Sequence, residues 1–400
     1  MIDLRTARSD PDRVRPGIAR KGGGEAFDEL LEADTRWREL VPQVDELRSR
    51  QKLKGKPTPE QVEELKAVKD ELRRLEDELA AAETRRDELL QKVPNPAHES
   101  VPDEASGDAE GEVVREIGER PQLEEPKEHL EIGRFEMERG ARLSGSRFGY
   151  LVGDTARLAL ALYRWALDRV VAQGYAAVIP PVLVREEAMY GTGFFPAERF
   201  EIYEVADDGL YLTGTSEVAL AGLHMGEILE RDELPLRYTA FSTNFRREAG
   251  AAGRDTRGMF RVHQFNKVEM FAYVLSEDSW EEHERLLAIE ESLAQELGLP
   301  YRVVNIEASE LSAAASKRYD IEAWFPSQER YREITSASNT TDYQARRLGI
   351  RHRANGGTEY VHTLNGTAVT DRWALAILEN FQGEVPDVLR EFGAPARVEG

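Results

Sequence analysis

Charged and aromatic side chains alternate along residues 236–275 in a pattern that predicts a β-hairpin with a long connecting loop. Two alternating segments, around 238–248 and 260–273, flank a stretch that is rich in glycine and alanine. Because side chains alternate between the two faces of a strand, Arg246 and Glu248 are expected to share one face of the first strand.

The returning strand is expected to carry Phe265, Lys267 and Glu269 on one face. An arginine binds a phosphate through two parallel hydrogen bonds, a carboxylate accepts from a base edge, and a phenylalanine ring offers a stacking plane. The hairpin therefore fits a nucleotide site with Arg246 on a phosphate. The alternative is cross-strand ion pairing on a solvated sheet face, and the hairpin alone leaves both interpretations open.

Two further polar segments could complete such a site. Residues 212–217 predict a strand end that enters a helix, although Thr215 or Ser216 could equally be a helix cap. On a later polar strand, Glu333 and Ser336 offer oxygen ligands that suit Mg²⁺ together with substrate phosphates. On a regular strand these two side chains face opposite sides, so joint binding requires a bulge or turn between them.

A fourth segment, 363–367, precedes an apolar helix that is predicted over 373–381. Arg372 lies in the first turn of this helix, where a cation is ordinarily unfavourable to the helix dipole. The same helix end attracts anions through its free backbone amides, so the arginine indicates an anionic ligand.

The composition excludes several classes of protein. The 400 residues carry 53 Lys and Arg against 75 Asp and Glu, a net charge of −22, so a nucleic acid could bind only at a local basic patch. The sequence has no cysteine, which excludes disulfides, thiol nucleophiles and cysteine-ligated zinc. No apolar run approaches the ~18 residues of a membrane span, and the charged start does not resemble a signal peptide. We expect a cytoplasmic protein that does not associate with membranes.

Residues 27–93 are dense in leucine, glutamate, arginine and lysine, and a turn-like segment at 55–59 interrupts them. Leucines recur every seven residues in the second part, which predicts an antiparallel helical coiled-coil arm. Its tip is basic, through Arg48, Arg50, Lys52, Lys54 and Lys56. Such a run commonly only solvates a surface; the alternative is contact with nucleic-acid phosphates.

The chain then becomes rich in proline, glycine and acidic residues, which is typical of a linker. We therefore expect a helical arm over 1–100, a linker over 101–126 and a second domain over 127–400.

Several segments resemble the motifs of class II aminoacyl-tRNA synthetases. Residues 245–248 and 261–265 resemble motif 2, residues 174–181 resemble the dimer-forming motif 1, and residues 366–372 resemble motif 3. More narrowly, four segments resemble the seryl-tRNA synthetase family of bacterial type: 215–217, 267–269, 338–347 and 363–367.

This resemblance implies an α+β fold, in which an antiparallel β-sheet flanked by helices forms the class II catalytic domain and follows the N-terminal coiled-coil arm. It implies ATP-dependent attachment of L-serine to tRNA(Ser) through seryl-adenylate, with Mg²⁺, and leaves room for serylation of tRNA(Sec). The long variable arm of the tRNA would lie on the coiled coil, and motif 1 would form a homodimer.

The resemblance also implies the role of individual residues. The implied ATP-binding residues are Arg246, Arg247, Glu248, Val262, Phe265, Glu333, Ile334, Thr335, Ser336 and Arg372. Arg246 and Arg372 would be catalytic, and Glu333 and Ser336 would hold Mg²⁺ with ATP. The implied serine-binding residues are Thr215, Ser216, Glu217, Glu269 and Thr367.

Two other functions remain as alternatives. A paralogue could form seryl-adenylate and deliver serine to a non-translational acceptor, although retention of the arm argues against this. A degenerate synthetase fold could serve as an RNA-binding or scaffold protein, but such a protein would be expected to lose the charged ATP-binding positions, which this sequence keeps.

Overall fold

The computed structural model describes residues 1–51, 58–249 and 258–400. These residues form two compact units, Met1–Pro96 and Ala97–Gly400. In the part of the chain that is described, no helix is both long enough and apolar enough to cross a membrane.

The first unit is helical. Its helices are α1 (Leu4–Ser9), α2 (Pro11–Ala19), α3 (Gly24–Arg50) and α4 (Pro59–Lys92). Ion pairs join Arg36 to Glu78 and Arg85 to Glu29, so residue numbers rise along one helix as they fall along the other. The two long helices are therefore antiparallel, as the heptad pattern predicts.

Apolar side chains form a continuous seam between α3 and α4. The buried members are Leu40, Val44, Leu47, Val68, Leu72 and Leu75. A second cluster packs the short helices α1 and α2 against the base of this hairpin, through Ile18, Phe27, Leu30 and Leu89 among others. Burial of these residues from all four helices makes the first unit a packed body rather than an isolated hairpin.

The second unit combines helices and strands. In chain order its elements are β1 (Gly111–Ile117), α5 (His129–Ile132), α6 (Met137–Ser144), α7 (Asp154–Ala172), β2 (Ala176–Val178), β3 (Leu183–Arg185), α8 (Glu186–Thr192), β4 (Glu204–Val205), β5 (Leu210–Leu212), α9 (Glu217–Ala221), β6 (Ile228–Leu229), β7 (Leu236–Phe245), β8 (Gln264–Val274), α10 (Ser279–Glu296), β9 (Tyr301–Ile306), β10 (Lys317–Phe325), β11 (Arg330–Asn339), α11 (Tyr343–Leu348), β12 (Arg351–Ala354), β13 (Gly357–Tyr360), β14 (His362–Thr370) and α12 (Asp371–Asn380).

Among the described residues, the largest sheet has eight strands in the order β1-β9-β10-β11-β14-β8-β7-β2. All neighbours are antiparallel except β2 and β7, which are parallel. The main core joins side chains of α7, α10 and α12 to the sheet, and Trp165 and Trp373 are fully buried in it. The predicted hairpin corresponds to β7 and β8, and the predicted C-terminal helix to α12.

The stretch expected to be a linker contains a strand. Within residues 101–126, β1 pairs antiparallel with β9, and a register shift lies between Val113 and Arg115. Three of its four exposed side chains are charged, namely Glu112, Arg115 and Glu116, and an edge strand of this kind has a composition similar to that of a loop. The limits of the arm and of the catalytic domain at 100 and 127 stay a prediction.

Candidate active site

Two adjoining cavities lie over the strands β7, β8, β11 and β14. The first has a volume of about 110 Å³ and the second of about 400 Å³. Both are lined by Arg246, Glu248, Arg261, Lys267, Ser336 and Thr367, so they form one cleft with two ends. Lys267 is buried, which excludes the interpretation of this face as a solvated surface of ion pairs.

Arg246 lies directly after β7 and connects the hairpin to the loop before α9. Its Nε donates a hydrogen bond to the Gly214 carbonyl oxygen at 3.2 Å. Its guanidinium carbon lies 5.3 Å from the centre of the Phe265 ring, within range of a cation–π contact. The cation and the aromatic plane that the hairpin pattern predicts are therefore neighbours in the first cavity.

A bulge in β11 changes which of its side chains face the cleft. Ile321 of β10 pairs with Thr335, whereas the next residue, Glu322, pairs with Glu333. Ile334 is thus an extra residue, and the alternation of side chains reverses across it. As a result, Glu333 and Ser336 both line the first cavity. This is the geometry that joint binding of a cation by these two residues requires.

A second bulge has the same effect in the adjacent strand β14. Thr367 pairs with Glu269, and Val369 pairs with Val268, so Ala368 is the extra residue. Thr367 and Thr370 therefore both line the first cavity although they are three positions apart.

Arg372 enters the same cavity from the first turn of α12. Its Nη1 donates to the Glu333 carboxylate at 2.9 Å and to the Glu333 carbonyl oxygen at 3.0 Å. Burial alone would raise the pKa of Glu333, but the charges of Arg372, Arg318 and Arg246 lower it to about 2. Three guanidinium groups thus act on one carboxylate that stays ionised at neutral pH, an arrangement that suits a polyanion together with a cation.

Lys267 brings three of the implied serine-binding residues together. Its Nζ forms an ion pair with Glu269 and donates to Thr215 Oγ1 at 2.7 Å. Thr367 Oγ1 lies 3.5 Å from both Lys267 Nζ and the Glu269 carboxylate. Thr215 and Thr367 line the second cavity, whereas Glu269 lies behind Lys267 and is 1% exposed.

Glu217 is fixed by two amide side chains. Its Oε1 accepts hydrogen bonds from Gln344 Nε2 at 2.7 Å and from Asn365 Nδ2 at 2.9 Å. Thr215 Oγ1 also accepts from the Glu217 backbone N at 3.2 Å, so Thr215 performs part of the capping role that its position allows. Gln344 and Asn365 were not predicted as site residues, although both lie in segments that resemble the family.

Not every implied residue faces the cleft. Arg247 is exposed, and its backbone N donates to the Glu201 carbonyl oxygen at 2.8 Å. Ser216 is buried, and its Oγ has no hydrogen-bond partner among the described residues. Neither residue lines the two cavities. The other implied ATP-binding residues, including Val262, Ile334 and Thr335, all line the first cavity.

The structure adds Arg318 to the second cavity. Its Nε donates to the Asp320 carboxylate at 2.6 Å, because residues two apart on β10 share a face. Arg318 was not predicted as a site residue, although charged residues alternate along 317–322.

At the tip of the arm, Arg48 forms an ion pair with Glu76 at 2.9 Å and Arg50 with Glu64 at 3.5 Å. Lys52, Lys54 and Lys56 lie outside the described residues. Acidic residues of α4 thus reduce the positive charge that Arg48 and Arg50 present.

A model of the seryl-tRNA synthetase N-terminal domain matches residues 1–97, and a model of the tRNA synthetase class II core domain (G, H, P, S and T) matches residues 200–381. The serine–tRNA ligase of Thermobifida fusca is 47% identical to this chain over 412 residues, which cover 98% of this chain and 97% of that protein. The chain belongs to the seryl-tRNA synthetase family. The predicted family and its α+β fold are therefore confirmed.

Other members of the family agree over the whole chain. The serine–tRNA ligase of Rhodococcus jostii is 45% identical and covers 98% of each chain. The crystal structure of seryl-tRNA synthetase from Pyrococcus horikoshii complexed with ATP superposes with a TM-score of 0.91 at 38% identity, covering 100% of this chain and 99% of that one. A cytoplasmic serine–tRNA ligase from Naegleria fowleri in complex with AMP gives a TM-score of 0.89 at 32% identity, again over 100% and 99%.

Glu269 gives the site a dependence of stability on pH. Burial, opposed by Lys267, raises the pKa of Glu269 from 4.5 to about 7. The folded state therefore binds this proton more tightly than the unfolded state, and stability decreases as pH rises from about 4.5 to 7. Glu269→Gln mimics the protonated form, so its stability relative to the wild type should increase over this range, by roughly 3 kcal/mol at most.

Urea unfolding of both proteins between pH 4.5 and 8 measures this difference. Glu310→Gln, which alters an exposed carboxylate, is the control and should show no such trend. A difference between Glu269→Gln and the wild type that stays constant with pH would contradict the assignment.

Proposed function

We propose that this protein attaches L-serine to tRNA(Ser) in two steps, through seryl-adenylate. The observation that carries this proposal is a single cleft in a member of the seryl-tRNA synthetase family. One end of the cleft has the ring of Phe265 and the guanidinium groups of Arg246 and Arg372, which suit ATP. The other end has the hydroxyl groups of Thr215 and Thr367 and the carboxylate of Glu217, which suit a small polar amino acid.

In the first step, a carboxylate oxygen of serine attacks the α-phosphorus of ATP in line. A new oxygen–phosphorus bond forms as the bond to the bridging oxygen breaks, and pyrophosphate leaves with that electron pair. The protein needs no nucleophile for this reaction. Arg246 would bind the serine carboxylate and the α-phosphate, and Arg372 would bind the leaving phosphates, so that both stabilise charge in the transition state.

Glu333 and Ser336 would hold Mg²⁺ together with phosphate oxygens of ATP. Their shared orientation across the bulge at Ile334 fits this role, and so does the low pKa of Glu333, since a metal ligand must be deprotonated. When bound, the ion would neutralise charge on the phosphates. The arginines and the carboxylate keep their positions through hydrogen bonds to one another and to the backbone.

Selectivity for serine would follow from the polar cluster around Lys267. Thr215 and Glu217 would bind the amino group, while Thr367 and the Lys267–Glu269 pair would lie nearest the hydroxyl. Alanine would leave these buried polar groups without partners. In the second step, the terminal ribose hydroxyl of the tRNA attacks the carbonyl carbon of seryl-adenylate, and AMP leaves.

The N-terminal arm would select the tRNA through the shape and backbone of its long variable arm. An acidic protein needs a local cationic surface for this contact. The basic run from Arg48 to Lys56 is the candidate, and its lysines carry most of the charge because acidic residues pair with Arg48 and Arg50.

The motif 1 region would form a homodimer. Apolar side chains are exposed on α7 and at the edge strand β2, with Leu160 65% exposed and Ile179 97% exposed. Phe241 is also exposed, and its ring contacts that of Tyr163 on α7 at 5.2 Å. Large exposed apolar side chains close to a free strand edge favour a protein interface.

Arg246→Ala should reduce the rate of serine-dependent pyrophosphate exchange by about 10²-fold or more, since it removes a charge that stabilises the transition state. Exchange with serine, threonine, alanine and glycine should be measured for the wild type, the variant and Arg353→Ala, whose arginine is 64% exposed and lies outside the cavities. The wild type should respond to serine most strongly, and Arg353→Ala should match it. An unchanged rate in Arg246→Ala would contradict the assigned role.

Replacement of Lys52, Lys54 and Lys56 by serine should spare pyrophosphate exchange and raise the KM for tRNA(Ser). The logarithm of the tRNA binding constant falls linearly with the logarithm of salt concentration. If all three lysines contact phosphates, the magnitude of this slope should decrease by up to about 3. The control is Lys92→Ser, since this exposed lysine lies at the opposite end of α4 from the tip. Loss of exchange and of tRNA charging to the same extent would count against a specific tRNA contact.

Leu160→Asp combined with Ile179→Asp should convert a dimer into a monomer, because it places charges in the apolar patch. Sedimentation velocity over a range of concentrations measures the change. The matched control is Val114→Asp, an exposed apolar residue on β1. A wild type that sediments as a monomer, or a double variant that remains a dimer, would refute this interface.

A further inference from the structure

Most charges in the cleft are already neutralised by a partner within the protein. Four ion pairs account for them: Arg261–Glu248, Lys267–Glu269, Arg318–Asp320 and Arg372–Glu333. Each pair joins a side chain that lines the cleft to one that lines it or lies directly behind it. These charges are therefore balanced without a ligand.

In the second cavity, the charged side chains of Arg246, Glu217 and Glu198 form no ion pair with the described residues, whereas Glu201 there accepts a hydrogen bond from the Ala249 backbone N at 3.1 Å. Arg246 is one, and its Nε contacts only the backbone of Gly214. Glu217 is the second, since its hydrogen bonds come from the neutral amides of Gln344 and Asn365. Glu198 is the third, and its carboxylate accepts no hydrogen bond from the described residues.

Glu198 lies beside Glu217. Both line the second cavity, and both line a smaller adjoining cavity of about 60 Å³. Burial raises the pKa of Glu198 most; the charge of Arg246 opposes this effect and the charge of Glu217 adds to it. Two carboxylates therefore lie together at the end of the cleft that also holds Arg246, and the repulsion between them is relieved when a cation binds.

The turn that carries Glu198 is fixed on several sides. The Glu198 backbone N donates to the Phe194 carbonyl oxygen at 2.7 Å. The neighbouring Arg199 pairs with Glu186 at 3.1 Å and donates to the Tyr211 hydroxyl at 2.7 Å. The position of Glu198 is thus set by the fold before any ligand arrives, which lowers the cost of ordering it on binding.

The unpaired charges match a zwitterion. A free amino acid carries one carboxylate, which suits Arg246, and one ammonium group, which suits a pair of carboxylates. We infer that Glu198 is a further substrate-binding residue that, together with Glu217, holds the ammonium group of serine. This inference rests on the proposed function, because it identifies the cation as part of the amino acid substrate.

The test compares Glu198→Gln with the wild type in serine-dependent pyrophosphate exchange. Removal of one charged partner should raise the KM for serine about tenfold or more, as expected when a charge-assisted hydrogen bond is lost. The KM for ATP should stay within twofold of the wild-type value. The thermal unfolding temperature should stay within a degree or two of that of the wild type. Glu187→Gln, an exposed carboxylate on α8, is the matched control and should leave the KM for serine unchanged.

Inhibition by L-glycerate shows whether weaker binding of serine in the variant comes from a lost contact with the ammonium group or from a general change in the site. L-glycerate has a hydroxyl in place of the ammonium group, so its inhibition constant should not increase in Glu198→Gln. Glu198→Asp keeps the charge and should show a KM for serine between those of Glu198→Gln and the wild type, which preserves the test if the glutamine variant folds poorly.

The outcomes are distinguishable. A wild type without serine-dependent exchange refutes the proposed function itself. A wild type that is active, with an unchanged KM for serine in Glu198→Gln, overturns only the inference about Glu198. Equal weakening of serine and L-glycerate also overturns it, since the lost interaction would then not involve the ammonium group.

Discussion

The cleft depends on the register of four antiparallel strands, β7, β8, β11 and β14. Regular pairing along β11 and β14 would place side chains three positions apart on opposite faces of the sheet. One extra residue in each strand, Ile334 and Ala368, reverses the alternation locally. Glu333 and Ser336 thereby face the same cavity, as do Thr367 and Thr370. Without these bulges the residues that suit a cation would be separated by the sheet itself.

Charge pairing holds the same side chains in place. Carboxylates and guanidinium groups that are partly or wholly removed from water are costly unless each has a partner, and pairs such as Arg372–Glu333 and Arg318–Asp320 provide one. These pairs set the directions of side chains on α12, β10 and β11 before a substrate binds. A site fixed in this way needs little reorganisation during the reaction, which favours stabilisation of charge in the transition state.

Local sequence patterns predicted the elements more accurately than the contacts between them. The heptads of the arm, the alternation of the hairpin and the apolar helix after Thr370 each reflect a periodicity within one segment, and each appears in the structure. The strand at 111–117 was missed because an exposed edge strand with acidic side chains has the composition of a linker.

The bulges and the partners of Glu217 could not be predicted in the same way. A bulge is a mismatch between two strands, so neither sequence alone specifies it. Gln344 and Asn365 reach Glu217 from α11 and β14, which are far from it along the chain. Glu198 precedes β4 in a turn without a recognisable motif, and only the folded arrangement places its carboxylate beside Glu217.

A crystal structure of the protein with a non-hydrolysable seryl-adenylate analogue, such as serylsulfamoyl adenosine, tests most directly whether one cleft binds both halves of the intermediate. The account predicts that adenine stacks on Phe265 and that Arg246 contacts the linking group. The seryl end should lie among Thr215, Glu217 and Thr367. An analogue bound outside the two cavities, or an Arg246 guanidinium directed away from the linking group, would contradict it.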